Sequence, residues 1–230
     1  MTKFFTEEFE KLDLPIHGVR LPSFEIDVKY KHQNKVSEDA DNFTFLKSIC
    51  LNGLKEKSLN KDEYLKRLNY ELDTVLELGF VDYMLLVWDV INFCKESNIP
   101  VGLGRGSAAG SLILFSIDVT KMDPIKYDLY FERFISKTRA KKKVVDGVTY
   151  LDGSLMCDVD LDICYYRRPE VLAYLNDKFV GRTSKILTLN TLSGKLLIKE
   201  SGKIVGQKEE SEMNRITSFI PKVFGQVQDV

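Results

Sequence analysis

The sequence predicts an α+β protein, and three observations predict it. Apolar residues recur at helical spacing in three successive segments across residues 41–96. Then Asn98-Ile99-Pro100-Val101-Gly102-Leu103 reads as a short strand entering a glycine-rich turn, with an apolar helix behind it. Finally, Met156-Cys157-Asp158-Val159-Asp160-Leu161-Asp162-Ile163-Cys164 alternates acidic and apolar residues, the period-two pattern of a strand.

The 230 residues suit one large domain or two small ones. At 44% hydrophobic and 29% charged, the composition is that of an ordinary globular protein. The formal net charge is −1, so any nucleic-acid contact must come from local patches. Cys50, Cys94, Cys157 and Cys164 form no C-x-x-C pair, which fits a reducing, cytoplasmic compartment and neither a disulfide framework nor a zinc site. The only histidines, His17 and His32, lie in a polar N-terminal stretch, so a histidine-based site is not expected. No apolar run reaches about 18 residues, so no membrane span is expected. The N-terminus carries acidic residues where a signal peptide would be apolar.

Residues 1–40 read as an extended lead-in. Phe43, Leu46, Cys50 and Leu54 repeat at helical spacing behind Asp41 or Asn42, either of which can cap the helix. A second helix is expected from Lys61 to Leu78, with a stripe of Leu65, Leu68, Leu72, Val75 and Leu76 and a stop at Gly79. A third covers Tyr83 to Glu96, with Trp88 and Tyr83 assigned to core packing. An apolar helix over Ser107–Ser116 follows the glycine turn, and Asp123-Pro124 marks a further turn. Arg133, between Phe131 and Phe134, is expected to hold its charge toward a site or an acidic partner. The basic run Lys137 to Lys143 is either a solvated loop or a phosphate contact. Asp146-Gly147 signals a hairpin. A helix from Pro169 to Phe179 and a strand over Ser184–Leu189 come next. From Thr191 the chain reads as helical, although Gly194 and Gly202 weaken the pattern. There Lys195, Lys199 and Lys203 fall at i, i+4 and i+8, either a DNA-tracking stripe or a solvated face.

Two segments carry chemistry. Asp158, Asp160 and Asp162 would share one strand face, with neighbouring carboxylates about 6.5–7 Å apart. Such a row either guards an edge strand or is offset by a cation such as Mg²⁺, which takes one or two carboxylates plus substrate phosphates. The turn Gly102-Leu103-Gly104-Arg105-Gly106-Ser107-Ala108-Ala109-Gly110-Ser111 joins strand to helix, a geometry that aims backbone N–H groups at a phosphate. Arg105 and the Ser107 hydroxyl would add donors. Gly104, Gly106 and Ala109 also fit the relaxed dinucleotide fingerprint, but its acidic residue is missing at the required place. A Walker loop is excluded, and a purely structural turn stays open. Together the segments are the minimum equipment for metal-dependent phosphoryl or nucleotidyl transfer, in which two cations about 3.5–4 Å apart bridge the carboxylates.

The passages Gly79-Phe80, Leu86-Val87-Trp88-Asp89, Ile99 through Ser111, Asp123-Pro124, Tyr127-Asp128-Leu129, Phe131-Glu132-Arg133-Phe134 and Asp158 through Asp162 occur in an order that resembles the alpha subunit of bacterial DNA polymerase III. The resemblance runs from about residue 43 to 223. It implies a polymerase beta-like nucleotidyltransferase palm over 41–185, with a helical N-terminal part, and the start of a helical thumb over 186–230. It implies that Gly106 and Ser107, helped by Arg105 and Arg168, bind the triphosphate. It makes Asp160 and Asp162 catalytic carboxylates holding two Mg²⁺ ions, with Asp158 outside the catalytic trio. DNA primer-template and dNTP are the implied partners, with Lys195, Lys199 and Lys203 on the DNA, in a nucleoid-associated setting without a membrane.

The sequence also departs from that family. Val144–Leu155 resembles an insertion, and Cys157 stands where the family has proline. The third catalytic aspartate of the family would lie past residue 230. The expectation is therefore a fragment or split subunit that needs a complementary polymerase chain and is weak or inactive alone. The alternatives are a non-catalytic DNA- or nucleotide-binding fragment and a small nucleotidyltransferase acting on a non-DNA substrate.

Overall fold

The computed structural model describes residues 19–20, 23–137, 142–145, 148–151, 157–185, 193–220, 222–223 and 226–227. The chain divides into two compact units, Met1–Gly181 and Arg182–Val230.

Three long helices form the body of the first unit. Within the stretch expected to be an extended lead-in, the chain instead forms helix α1 (Val28–Gln33), capped by Asp27, whose carboxylate accepts from the Lys29 N–H. Helix α2 (Asn42–Glu56) starts at Asp41, whose side chain accepts from the Thr44 N–H at 2.8 Å and satisfies one otherwise unpaired donor. Helix α3 (Asp62–Leu78) carries two acids in its first turn and ends at Gly79 in the left-handed region, φ 79°. Helix α4 (Val81–Glu96) follows directly. Apolar residues of all three helices are fully buried, among them Phe45, Leu46, Leu54, Leu68, Leu72, Met84 and Leu85. Trp88 packs edge-on to Tyr30 and Phe45, with centroids 5.2 and 5.4 Å away. Leu68, Leu72 and Val75 of the expected α3 stripe are buried, but Leu76 is half exposed, and Tyr64, Glu71 and Thr74 are buried in addition.

The expected helix over 107–116 is divided. A 3₁₀ turn runs Gly106–Gly110, and after Ser111 a short helix α5 (Leu112–Ser116) enters the core, every residue buried. Residues 124–128 turn after Asp123, whose carboxylate accepts the Ile125 and Lys126 N–H groups. Phe131 and Phe134 are buried around a second 3₁₀ turn, and Arg133 between them is exposed to solvent. Helix α6 (Arg168–Lys178) is clasped to α4: buried Asp89 accepts from Lys178 Nζ at 2.6 Å and from the Tyr174 hydroxyl at 2.8 Å.

The α+β palm expected from the sequence is corrected by this architecture. The described residues are predominantly helical, and no sheet passes through the acidic segment. Strands β1 (Val19–Arg20), β2 (Lys142–Val145) and β3 (Val148–Leu151) form a small antiparallel sheet of order β1-β3-β2 elsewhere. The acidic segment makes one isolated bridge, Val101 to Ile163. Its neighbour cannot extend a ladder, because Pro100 lacks an N–H and Gly104, at φ 90°, turns the chain away. The hairpin expected around Asp146-Gly147 is present as β2 and β3, with those two residues outside the described set. Most of the basic run 137–143 and residues 186–189 of the expected strand also lie outside it.

In the second unit, α7 (Gly194–Ile204), capped by Ser193, packs on α8 (Glu210–Ser218). Gly202 does not weaken this helix pair but permits it: a β-carbon there would stand 2.3 Å from Met213 Sδ. Two-residue strands β4 (Lys222–Val223) and β5 (Gln226–Val227) pair antiparallel.

Candidate active site

The acidic segment lies extended along residues 100–102. The Gly102 N–H donates to the Asp162 carbonyl at 2.8 Å, and the Cys164 N–H to the Pro100 carbonyl at 3.0 Å. The sequence alternation is expressed even without a ladder. Val159, Leu161 and Ile163 pack against the apolar clusters, while Asp158, Asp160 and Asp162 face solvent. Beneath them, Tyr83 is hydrogen-bonded to the Val159 backbone, and burial pushes its phenol up to about 12. Tyr83 is thus only partly buried, under the acidic segment, whereas Trp88 is in the core.

The glycine turn is pressed against the same segment. A β-carbon on Gly102 would stand 2.7 Å from Asp162 Cβ, and one on Gly106 would stand 3.5 Å from Asp160 Oδ2. Gly104 and Gly106 have φ of 90° and 68°, where L side chains are strained. Arg105, between them, places Nε 3.9 Å from Asp160 Oδ2 and 3.9 Å from Asp162 Oδ1. All three side chains are at least half exposed, so these ion pairs are screened and weak. Ser107 is partly exposed at the start of the 3₁₀ turn, where opening N–H groups lack an internal partner.

Helix α5 does not offer its N-terminus to a ligand, because Glu71 occupies it. The fully buried Glu71 carboxylate accepts from the Ile113 N–H at 3.1 Å and from the Ser111 hydroxyl at 3.0 Å. Arg67, one helical turn earlier, donates Nε to Glu71 at 2.7 Å and Nη2 to the carbonyls of Gly110 and Leu129. Burial raises the Glu71 carboxyl; the hydrogen bonds from the α5 backbone and Arg67 oppose that rise. The pair thereby fixes the end of the glycine turn onto α3. Sequence reasoning missed Arg67 and Glu71. Their i, i+4 spacing with opposite charge was visible, but their burial depends on partners some 40 residues away.

Arg168 opens α6, exposed, with its N–H on the Cys164 carbonyl at 2.8 Å. It is set on the far side of Ile163 from the glycine turn in chain order. Lys195, Lys199 and Lys203 lie on α7 in the second unit, all partly buried. Lys199 pairs with Glu210 at 2.8 Å and Lys203 with Glu200 at 3.5 Å, so two of the three charges are already met within that unit.

Among the described residues no group of three or more His, Cys, Asp or Glu side chains could hold a metal. The donor set at the acidic segment is two exposed carboxylates with a guanidinium near both. That set fits a hard cation drawing its remaining ligands from phosphate and water. Chemically, the arrangement can hold a cation and a polyphosphate side by side, as a nucleotide-handling domain does.

Comparison with known proteins agrees with that class and narrows it. Residues 44–229 match the model of the bacterial DNA polymerase III alpha NTPase domain, and the chain belongs to that family. It is 33% identical over 217 residues to the DNA polymerase III subunit alpha of Borreliella burgdorferi, covering 94% of this chain and 17% of that one. It is 34% identical over 221 residues to the subunit of Bacillus subtilis, covering 95% and 18%. To that of Ureaplasma parvum it is 40% identical over 184 residues, covering 77% and 17%. The chain thus spans less than a fifth of the length of these relatives. No helix among the described residues is long and apolar enough to cross a membrane.

Proposed function

We propose that this chain carries part of the nucleotidyl-transfer centre of a replicative DNA polymerase. In this reading Asp160 and Asp162 are the cation ligands. Arg105, Gly106 and Ser107 hold the triphosphate of a dNTP, and Arg168 supplies further positive charge. Lys195, Lys199 and Lys203 contact DNA; among the described residues, Lys199 and Lys203 are each paired with an acid. The observation that carries the proposal is the apposition of Arg105 and Gly106 to Asp160 and Asp162.

The residues divide the work by chemistry. Gly102 lets Asp162 pack directly against the turn, and the bare Gly106 keeps that part of the backbone accessible to a phosphate. Arg105 counters the carboxylates and can offer its fork to a phosphate oxygen. Two Mg²⁺ ions, when bound, would neutralise the triphosphate and favour ionisation of the attacking primer hydroxyl.

Primer extension with Mg²⁺ and dNTPs tests the proposal. The chain is assayed alone and combined with a polypeptide supplying the C-terminal remainder of the subunit. Extension is expected only in combination and is expected to vanish with Asp160→Ala plus Asp162→Ala. Undiminished extension by that double variant would refute the assignment.

A further inference from the structure

We propose that Tyr165 and Tyr166 form a stacking platform for nucleobases at the 3′ end of a DNA strand. Their side chains are 82% and 88% exposed, with ring centroids 5.7 Å apart and planes at 83°. Among the described residues, neither ring joins an apolar cluster. Single exposed apolar residues are common and mean little. Here, two adjacent aromatic rings are displayed on a turn clamped at both ends.

The clamp is specific. Tyr165 and Tyr166 are the two central residues of a turn closed by the Arg167 N–H on the Cys164 carbonyl, 3.1 Å. At one end the Cys164 N–H is bonded to Pro100. At the other, Arg167 Nη1 donates to the carbonyls of Ser97 and Asn98 at 3.0 and 2.9 Å, and its Nε and Nη2 engage Glu170. The turn is therefore ordered before any ligand arrives, which lowers the entropic cost of stacking on it.

Position selects the ligand. Along the antiparallel pairing, Gly106 stands by Asp160, Gly102 by Asp162, and Pro100 by Cys164. The tyrosines therefore lie beyond the carboxylates, at the end opposite the glycine turn. Tyr165 is three positions on from Asp162, at most about 11 Å of chain. In an in-line transfer the attacking oxygen approaches from the side opposite the leaving pyrophosphate. If the triphosphate is on the glycine turn, as proposed above, the attacking strand arrives on the tyrosine side. That choice of strand rests on the proposed triphosphate site. Exposed aromatic rings stack on any base.

The test is binding of a labelled single-stranded oligodeoxynucleotide to the whole chain, followed by fluorescence anisotropy without Mg²⁺ or dNTP. Tyr165→Ala and Tyr166→Ala are each expected to weaken binding about tenfold, and the Phe variants to stay within about twofold of wild type. An oligonucleotide with abasic 3′-terminal positions should bind wild type weakly and lose nothing further in the Ala variants. Three results would overturn the proposal: Ala variants that bind like wild type, Phe variants that lose as much as Ala, or abasic ends bound as tightly as intact ones. Mg²⁺-dependent dNTP binding is measured in parallel. If the Ala variants lose affinity for dNTP and not for the oligonucleotide, the platform holds the incoming base and the strand assignment fails. If no variant or wild type binds dNTP while the oligonucleotide losses appear, the triphosphate reading fails and the stacking site stands.

Discussion

Gly106 and Asp160 face each other so closely that a β-carbon on the glycine would stand 3.5 Å from Oδ2. The contact is between a backbone in the left-handed region, φ 68°, and a solvent-facing carboxylate. A β-carbon there would meet the carboxylate only at ordinary van der Waals distance, so the left-handed φ, not crowding by Asp160, selects glycine at 106. Gly106→Ala is expected to cost about 1–2 kcal/mol of stability from φ alone. It should also weaken Mg²⁺-dependent dNTP binding about tenfold, the equivalent of 1.4 kcal/mol. Urea unfolding followed by the single tryptophan, together with a dNTP titration, checks both. An unaltered dNTP affinity would remove the turn from the site.

The Arg67–Glu71 pair, with its carboxylate fully buried and its guanidinium partly so, should dominate the stability of the turn. Arg67→Ala leaves the Glu71 carboxylate buried without its cation, a change expected to cost about 3–5 kcal/mol. Glu71→Gln retains an acceptor for Ser111 and Ile113 and should cost less. Denaturant midpoints at constant m-value measure the difference. A loss below about 1 kcal/mol for Arg67→Ala would mean that the pair is solvated.

Asp118 supplies a pH dependence. Lys57 and Lys95 each donate to its carboxylate at 2.8 Å, and Lys121 lies 3.3 Å away. Burial alone would raise the carboxyl, but the hydrogen bonds from Lys57 and Lys95 outweigh it and hold the group well below the usual carboxylate range. A folded-state pKa depressed below the unfolded value of about 3.9 contributes stability that is complete above that value. It is lost as pH falls through the folded pKa. Asp118→Asn should therefore be less stable than wild type near neutral pH, with the gap closing below about pH 4. Asparagine also tolerates the positive φ of 65° at this position. A gap that stays constant down to acid pH would contradict the assignment.

The cysteines should separate by access. Cys50, Cys94 and Cys157 are buried, and burial pushes the Cys50 and Cys157 thiols up to about 12. Cys164 is partly exposed. A thiol reagent at neutral pH should label Cys164 first in the native protein and all four only after unfolding. Rapid labelling of Cys157, read by peptide mapping, would contradict the packing beneath the acidic segment.

Local rules made several features legible. The Asp41 cap, the Gly79 stop, the burial of Trp88 and the outward alternation of Asp158, Asp160 and Asp162 all follow from neighbours within a few residues. Features set at long range were not legible. Period-two alternation implies a strand, yet a ladder needs a partner with free donors, and Pro100 and the turn at Gly104 remove them. The α+β assignment failed for that reason. Leu68, Leu72 and Val75 of the α3 stripe were legible, but the burial of Glu71, polar in sequence, was not, because it depends on Arg67 and Ser111. Gly202, which weakens a helix in isolation, admits Met213 of the neighbouring helix.

The most direct measurement is calorimetric titration of a dNTP into the whole chain, with Mg²⁺ and then with chelator, for wild type and for Asp160→Asn/Asp162→Asn. Both carboxylates are exposed, so the variant should fold with an unchanged melting temperature. The account predicts saturable Mg²⁺-dependent binding by wild type, weakened at least about tenfold in the variant, or 1.4 kcal/mol. Equal affinity in the two proteins, or binding indifferent to Mg²⁺, would contradict it.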